Sequence, residues 1–115
     1  MNKFSDWVAF EQIKEKFPEA PGLFQVKVKG GLLSYPKGKS AMFYYGYTSN
    51  LRRGAANFLS KILPVLEVNE EVLLIRWMSV KEVEAKFQAY LSTFYKRFGS
   101  LPLGNEMLIK KTRQR

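Results

Sequence analysis

The residues best suited to chemistry lie in one stretch, 44–58, with the sequence YYGYTSNLRRGAANF. Three tyrosines surround a glycine there, and two adjacent arginines follow a polar turn. This order predicts a strand that brings a tyrosine hydroxyl beside the start of a helix, where backbone N–H groups and the helix dipole attract phosphate. The stretch therefore indicates contact with an anionic ligand.

The composition excludes several other kinds of site. The chain has 115 residues and contains neither cysteine nor histidine, which excludes disulfides, a thiolate nucleophile, an imidazole base and Cys/His metal ligation. No apolar run approaches the ~20 residues that cross a bilayer, and the start MNKFSDW lacks the apolar segment of a signal peptide. With 46% hydrophobic residues, we expect one soluble domain in the cytoplasm, without a membrane partner.

The charge balance indicates what the domain binds. Lysine and arginine number 19 against 10 acidic residues, a net charge of +9. Such an excess in a small domain favours nucleic acid as the partner, although a basic surface without a particular ligand is the alternative. We expect one domain over 1–109, followed by a basic tail over 110–115 that is either a phosphate-binding arm or a solubilising end.

The hydrophobic pattern predicts six elements in the order helix, strand, strand, helix, strand, helix. Strands are expected over about 22–29, 41–46 and 71–78, from alternation or from continuous apolar runs. Ser5 is expected to cap a first helix over about 5–16, and Ser49 or Asn50 a second helix that ends at Pro64.

A Ser79–Glu82 capping box is expected to begin the third helix, which Gly99 ends. Residues 30–39 are expected to form a connecting loop or a small extra hairpin. The predicted fold class is therefore α+β, with a three-stranded, mainly antiparallel sheet flanked by helices.

Three short motifs resemble those of the GIY-YIG nuclease superfamily over roughly residues 18–105. They are PGLFQV at 21–26, Tyr44-Tyr45-Gly46, and GSLPLGN at 99–105, which matches a closing Pro-x-x-Asn. The resemblance implies a three-stranded antiparallel sheet flanked by helices. It also implies an ancestral activity, the cleavage of nucleic acid with a divalent metal ion.

The family's catalytic residues are carried over only in part. Tyr44 matches the tyrosine of the second motif, whereas Phe24 replaces that of the first. The position of the catalytic arginine is Gly54, with Arg52 and Arg53 just before it, and the metal-binding glutamate falls on Phe87 or Gln88. The nearest acidic residue is Glu84. The resemblance thus implies an inactive site with no metal ligands and no cofactor.

These observations favour a nucleic-acid-binding domain with a degenerate nuclease site, and DNA as the partner. The candidate contact residues are Tyr44, Tyr47, Arg52, Arg53, Asn57, Lys61, Lys110, Lys111 and Arg113, with a solvated helix face as the alternative interpretation of the arginines. A second hypothesis is an active endonuclease in which Tyr44, Arg53 and Glu84 act from shifted positions with Mg²⁺ or Mn²⁺. A third is a small phage or mobile-element protein that acts by binding another protein.

Overall fold

A computed structural model describes residues 3–113, and within them the chain forms an α+β fold around a three-stranded antiparallel sheet. The strands are β1 (Gly22–Val28), β2 (Leu33–Tyr35), β3 (Gly38–Ser40), β4 (Met42–Thr48) and β5 (Leu73–Ser79). The main sheet has the order β4-β1-β5, and β2 and β3 pair as a separate hairpin. The predicted fold class is confirmed, and of the two alternatives for residues 30–39 the hairpin is correct.

The helical segments within the same residues are mostly short. They are a 3-10 turn (Phe10–Gln12), α1 (Ile13–Lys16), α2 (Leu51–Asn57), a π turn (Phe58–Ile62), α3 (Leu63–Leu66), a second 3-10 turn (Glu70–Val72), α4 (Val83–Phe98) and α5 (Leu103–Arg113). No helix among residues 3–113 is long and apolar enough to cross a membrane.

Strand β1 is the centre of the core because both of its faces are covered. On one face, Phe24 and Val26 pack in a cluster with Phe58 of the π turn and with buried residues of the first 3-10 turn, α1 and α2. Leu23, on the opposite face, belongs to a second cluster that includes Phe87 of α4. Because successive side chains of a strand point to opposite faces of the sheet, β1 packs against helical segments on both faces.

The N-terminal segment differs from the helix predicted over 5–16. Ser5 and Val8 instead run along the outer edge of β5, where the Ser5 N–H donates to the Trp77 carbonyl at 2.7 Å and Val8 bridges to Ile75. Ser5 caps no helix, and its hydroxyl accepts from the Trp77 N–H at 3.0 Å. The prediction was wrong here because the open edge of β5 offers backbone hydrogen bonds that outweigh the local helical pattern.

The second helical segment begins as predicted but continues past Pro64. The Asn50 side chain accepts from the Arg53 N–H, as an N-cap residue does. Pro64 does not end the segment, because the preceding π turn places the Leu63 N–H on the Phe58 carbonyl and Pro64 lies in the first turn of α3, where a proline is tolerated. Glu67, in the left-handed conformation with φ of 57°, ends α3 instead.

The predicted capping box at Ser79–Glu82 is also wrong. Ser79 belongs to β5, and its hydroxyl donates to the Pro21 carbonyl at 3.2 Å, which anchors the start of β1. Helix α4 begins only at Val83, without a side-chain cap. Its predicted end is confirmed, since Gly99 adopts a left-handed φ of 84° that glycine tolerates without steric cost.

Helix α5 was not predicted, and it includes most of the expected tail. Lys110, Lys111 and Arg113 lie in its last turn rather than in an extended arm. Cations in this position also complement the negative end of the helix dipole. The remaining tail residues, Gln114 and Arg115, lie outside the described residues.

Candidate nucleic-acid interface

A cleft of about 210 Å³ lies at the end of edge strand β4, between α2 and α4. It brings together the positions that the family resemblance assigned to catalysis, because Phe24, Tyr44, Gly54 and Phe87 all line it. The other lining residues are Tyr45, Gly46, Tyr47, Thr48, Asn57 and Ile62. None of the lining residues is charged.

The pairing of β1 with β4 determines the inner wall of this cleft. Phe24 faces Gly46 across the two strands. A Cβ atom on residue 46 would lie 2.3 Å from the Phe24 ring, so only glycine leaves room for the ring there. The Phe24 ring also stacks on Tyr44, with centroids 6.2 Å apart. The wall is therefore aromatic where the resemblance expects a first catalytic tyrosine.

The expected position of the catalytic arginine has no room for a side chain. A Cβ on Gly54 would lie 2.5 Å from the Thr48 Oγ1 atom and 2.7 Å from Thr48 Cγ2. Thr48 is fixed in place, because its Oγ1 accepts from the Asn50 N–H and donates to the Asn50 carbonyl, both at 3.1 Å. Tight packing thus explains why a glycine stands inside helix α2.

The expected position of the metal-binding glutamate is occupied by Phe87. Its ring packs on Tyr47, with centroids 4.5 Å apart, while Gln88 is exposed and does not line the cleft. Glu84 is also exposed and lies outside the cleft lining. A hard divalent cation prefers carboxylate and other oxygen ligands. An aromatic lining without a carboxylate does not fit such an ion.

Tyr44, matched to the tyrosine of the second motif, lines the cleft. It is 8% exposed and packs closely on Phe58, with ring centroids 4.5 Å apart. Burial raises the pKa of the Tyr44 hydroxyl above its usual value near 10. The hydroxyl therefore stays protonated at neutral pH, where it can donate a hydrogen bond but cannot act as a base.

The two arginines of the motif differ in their contacts. The Arg52 Nε donates to the Phe17 carbonyl at 2.9 Å, and its guanidinium lies 3.5 Å from the Glu19 carboxylate. Arg52 thus ties α2 to the end of α1. Arg53 is exposed and makes no ion pair within residues 3–113. Of the two residues, Arg53 has the charge that is free to meet a ligand.

Two further predicted contact residues lie on the Arg53 side of the helical segment. Asn57 lines the cleft and is four residues after Arg53, and the exposed Lys61 is four residues after Asn57. Side chains four residues apart are neighbours on a helix surface. Tyr47, 44% exposed, lies on the β4 side of the same cleft. Lys110, Lys111 and Arg113 lie on α5 outside the lining, and Lys111 pairs with Glu67 at 3.2 Å.

Asn105 is important to this region, although it was noted only as part of the closing Pro-x-x-Asn. Its side-chain oxygen accepts from the Tyr45 N–H at 2.9 Å, and its amide nitrogen donates to the Tyr45 carbonyl at 3.0 Å. The amide therefore pairs with the outward edge of β4 as another strand would. The Pro-x-x-Asn spacing was the sequence signal for this contact, but the spacing alone could not identify the partner.

The pKa of Tyr45 provides a first prediction. Burial raises this pKa to about 12, a shift only partly offset by Arg76 nearby. Because this pKa is higher in the folded state than in the unfolded state, Tyr45 contributes its full stabilisation below pH 10. That contribution is lost as the pH rises toward 12. As the pH rises toward 12, we expect the free energy of unfolding to fall less in Tyr45→Phe than in the wild type, by up to about 2 kcal/mol. Urea titrations of both proteins between pH 9 and 12 would check this, and parallel curves would contradict it.

Charge is distributed unevenly across the sheet. From Ala20 to Leu66, a range that holds β1 to β4 and α2, the chain contains seven lysines or arginines and no acidic residue. Five of the seven belong to the β2–β3 hairpin or to the helical segment after β4, whereas Lys27 lies over the Trp7 ring and Lys29 lines a pocket near β5 with Glu11, Glu70 and Glu71. Anion binding is therefore favoured at the β4 side, where the cleft lies.

Comparisons of the chain with protein-family models, with curated proteins and with solved structures gave no match.

Proposed function

We propose that this chain is a nucleic-acid-binding domain of GIY-YIG-like architecture whose nuclease site is degenerate, with DNA as the partner. The observation that carries the proposal is the composition of the cleft. Its lining has hydrogen-bond donors and aromatic rings and no carboxylate, and the exposed cations Arg53 and Lys61 are next in sequence to the lining residues Gly54 and Ile62. Each of these properties favours a polyanion that carries planar bases.

The contacts can be divided by the chemistry of each side chain. Arg53 and Lys61 are suited to phosphate oxygens because they are exposed and positively charged. The neutral Tyr44 hydroxyl and the Asn57 amide can donate hydrogen bonds inside the cleft. The exposed ring of Tyr47 provides a surface on which an unpaired base can stack.

The binding test uses Arg53 and Lys61 rather than the adjacent arginine pair. Because Arg52 has a structural hydrogen bond, its replacement would confuse loss of binding with loss of stability. We expect metal-free protein to bind DNA with an affinity that falls as salt rises. Arg53→Gln with Lys61→Gln should weaken binding about 10-fold near 0.1 M salt and reduce the salt slope by nearly two. Fluorescence anisotropy with a labelled 20-base-pair duplex measures both quantities.

The matched control is Lys14→Gln with Lys16→Gln. It makes the same change in net charge on exposed residues of α1, away from the cleft. The control should bind like the wild type. Equal losses in the two double variants would overturn the proposed site. Failure of the wild type to bind DNA or RNA near 50 mM salt would overturn nucleic-acid binding itself and leave the protein-binding hypothesis.

Cleavage separates the binding domain from the active-nuclease hypothesis. We expect no cutting of plasmid, linear or branched DNA above background with Mg²⁺ or Mn²⁺. The cleft positions matched to the catalytic arginine and glutamate are a glycine and a phenylalanine, and loss of one charge partner in a transition state commonly costs ~10²–10³ in rate. Cutting by the wild type that is absent in Glu84→Ala would establish the shifted-residue nuclease instead.

A further inference from the structure

The β2–β3 hairpin and the end of α4 form a second basic surface, here called the hairpin–α4 surface. Its three exposed cations are Lys37, Lys96 and Arg97, whereas Lys39 pairs with Ser34 on the hairpin face opposite Tyr35 and α4. None of the three makes an ion pair within the part of the chain that the structure describes. The segments that supply them, Ala20–Leu66 and Ala85–Asn105, contain no acidic residue.

Tyr35 holds the hairpin firmly against the rest of the fold. Its hydroxyl donates to the Met42 carbonyl at 2.6 Å and accepts from the Leu103 N–H at 2.9 Å. Its ring packs edge-on against Phe94, with centroids 5.0 Å apart, and also against Phe98. One side chain therefore connects the hairpin to β4, α4 and α5.

The turn of the hairpin rests directly on the end of α4. The Lys37 N–H donates to the Phe98 carbonyl at 3.0 Å. A Cβ on Gly99 would lie 3.0 Å from Pro36 and 3.1 Å from the Lys37 Cγ, so the two segments are in close contact there. Lys37 is thereby held next to the helical turn that carries Lys96 and Arg97.

Three like charges on one rigid surface repel each other, and the fold reduces this repulsion only in part. The C-terminal end of a helix contributes about half a negative charge, against three positive charges here. A nearby polyanion would remove the remaining repulsion. We propose that the hairpin–α4 surface is a second contact for the phosphate backbone of the nucleic acid that binds at the cleft. The inference thus rests on the proposed function.

Strand β4 gives the spacing between the two contacts. The Tyr35 hydroxyl meets β4 at Met42, and the cleft lining runs along the same strand from Tyr44 to Thr48. Two to six residue steps of an antiparallel strand span about 7–20 Å. Phosphates along one strand of B-form DNA are 3.4 Å apart along the axis, so the hairpin anchor and the cleft are about two to six nucleotides apart. A single duplex of ordinary length can reach both.

The test removes the three charges and compares the result with an equal change elsewhere. The test variant is Lys37→Gln, Lys96→Gln and Arg97→Gln. The control variant is Lys14→Gln, Lys16→Gln and Lys81→Gln, all exposed residues with the same charge change. On a 20-base-pair duplex we expect the test variant to lose about two phosphate contacts. Its affinity near 0.1 M salt should fall about 10-fold and its salt slope by about two.

The outcomes separate this inference from the proposed function. Equal affinities and slopes for the two triple variants, in a series where Arg53→Gln with Lys61→Gln still weakens binding, would overturn the second contact alone. A selective loss in the hairpin–α4 variant without any loss in the Arg53/Lys61 variant would overturn the cleft, and with it the proposal that this surface is a second contact beside the cleft. Thermal unfolding of each variant verifies that it is folded.

Discussion

Asn105→Leu is expected to destabilise the protein by about 3–4 kcal/mol, the largest stability change that we predict. The Asn105 amide satisfies both the N–H and the carbonyl of Tyr45 in a buried position. Leucine has a similar volume but no polar atom, so both backbone groups would lose their partner. Each buried group left without a hydrogen bond costs about 1–3 kcal/mol. Urea unfolding followed by circular dichroism measures the difference.

A control on the same helix distinguishes the hydrogen bonds from packing. Met107→Leu changes a partly buried apolar residue at nearly constant volume, and should cost less than about 1.5 kcal/mol.

Asn105→Asp adds a pH test. A buried carboxyl group facing the Tyr45 carbonyl should have a pKa above the usual value near 3.9. The aspartate variant should therefore be most stable when protonated at low pH and should weaken as the pH rises. An Asn105→Leu cost no larger than that of Met107→Leu would contradict the role assigned to Asn105.

The strands could be predicted from the sequence, whereas several helical segments could not. Alternation or apolar runs identified the three long strands because burial on a sheet imposes a period of two. Helix α5 was missed because its stability comes from tertiary contacts that no local pattern reports. Gly104 lets the helix approach Phe43, where a Cβ would lie 2.9 Å from the ring, and Asn105 pairs with β4. A glycine and an asparagine have low helix propensity, so the local sequence argues against a helix.

The first helix is shorter than predicted for the opposite reason, since residues 5–16 are helical only in the first 3-10 turn and α1. Trp7, Phe10, Ile13 and Phe17 have a spacing that suits one side of a helix, but the residues before Phe10 pair with the edge of β5. Local periodicity cannot report an open sheet edge that is formed by residues 65 or more positions later. The competition between a helix and an edge strand is decided by tertiary structure.

The candidate cleft could be located from the sequence, but its composition could be predicted only in part. Matching the motifs located Phe24, Tyr44, Gly54 and Phe87, and these four residues meet at one cleft although they are distant in sequence. The sequence also located the arginine pair. It could not distinguish Arg52, which bonds to the Phe17 carbonyl, from the exposed Arg53, because the two differ only in which side of α2 they occupy.

Gly54→Ala is expected to destabilise the protein by about 2 kcal/mol, although alanine is the better helix former. Helix propensity alone favours alanine by about 1 kcal/mol. Against that gain, the new methyl group would lie 2.5–2.7 Å from three atoms of Thr48, which cannot move without breaking its bonds to Asn50. Overpacking of this kind typically costs 1–3 kcal/mol and can cost more. Gly30→Ala is the control, because nothing lies within 4 Å of a Cβ there.

A double-mutant cycle tests whether Thr48 is the cause. In a Thr48→Gly background the contact is absent, so Gly54→Ala should become neutral or stabilising by up to about 1 kcal/mol. Persistence of the full cost in that background would show that Thr48 is not responsible. The expected coupling also bears on the position matched to the catalytic arginine, since any side chain at residue 54 must first displace Thr48. Gly54→Arg alone should therefore destabilise α2 rather than add a charge to the cleft, and an arginine at residue 54 would need a smaller residue at position 48.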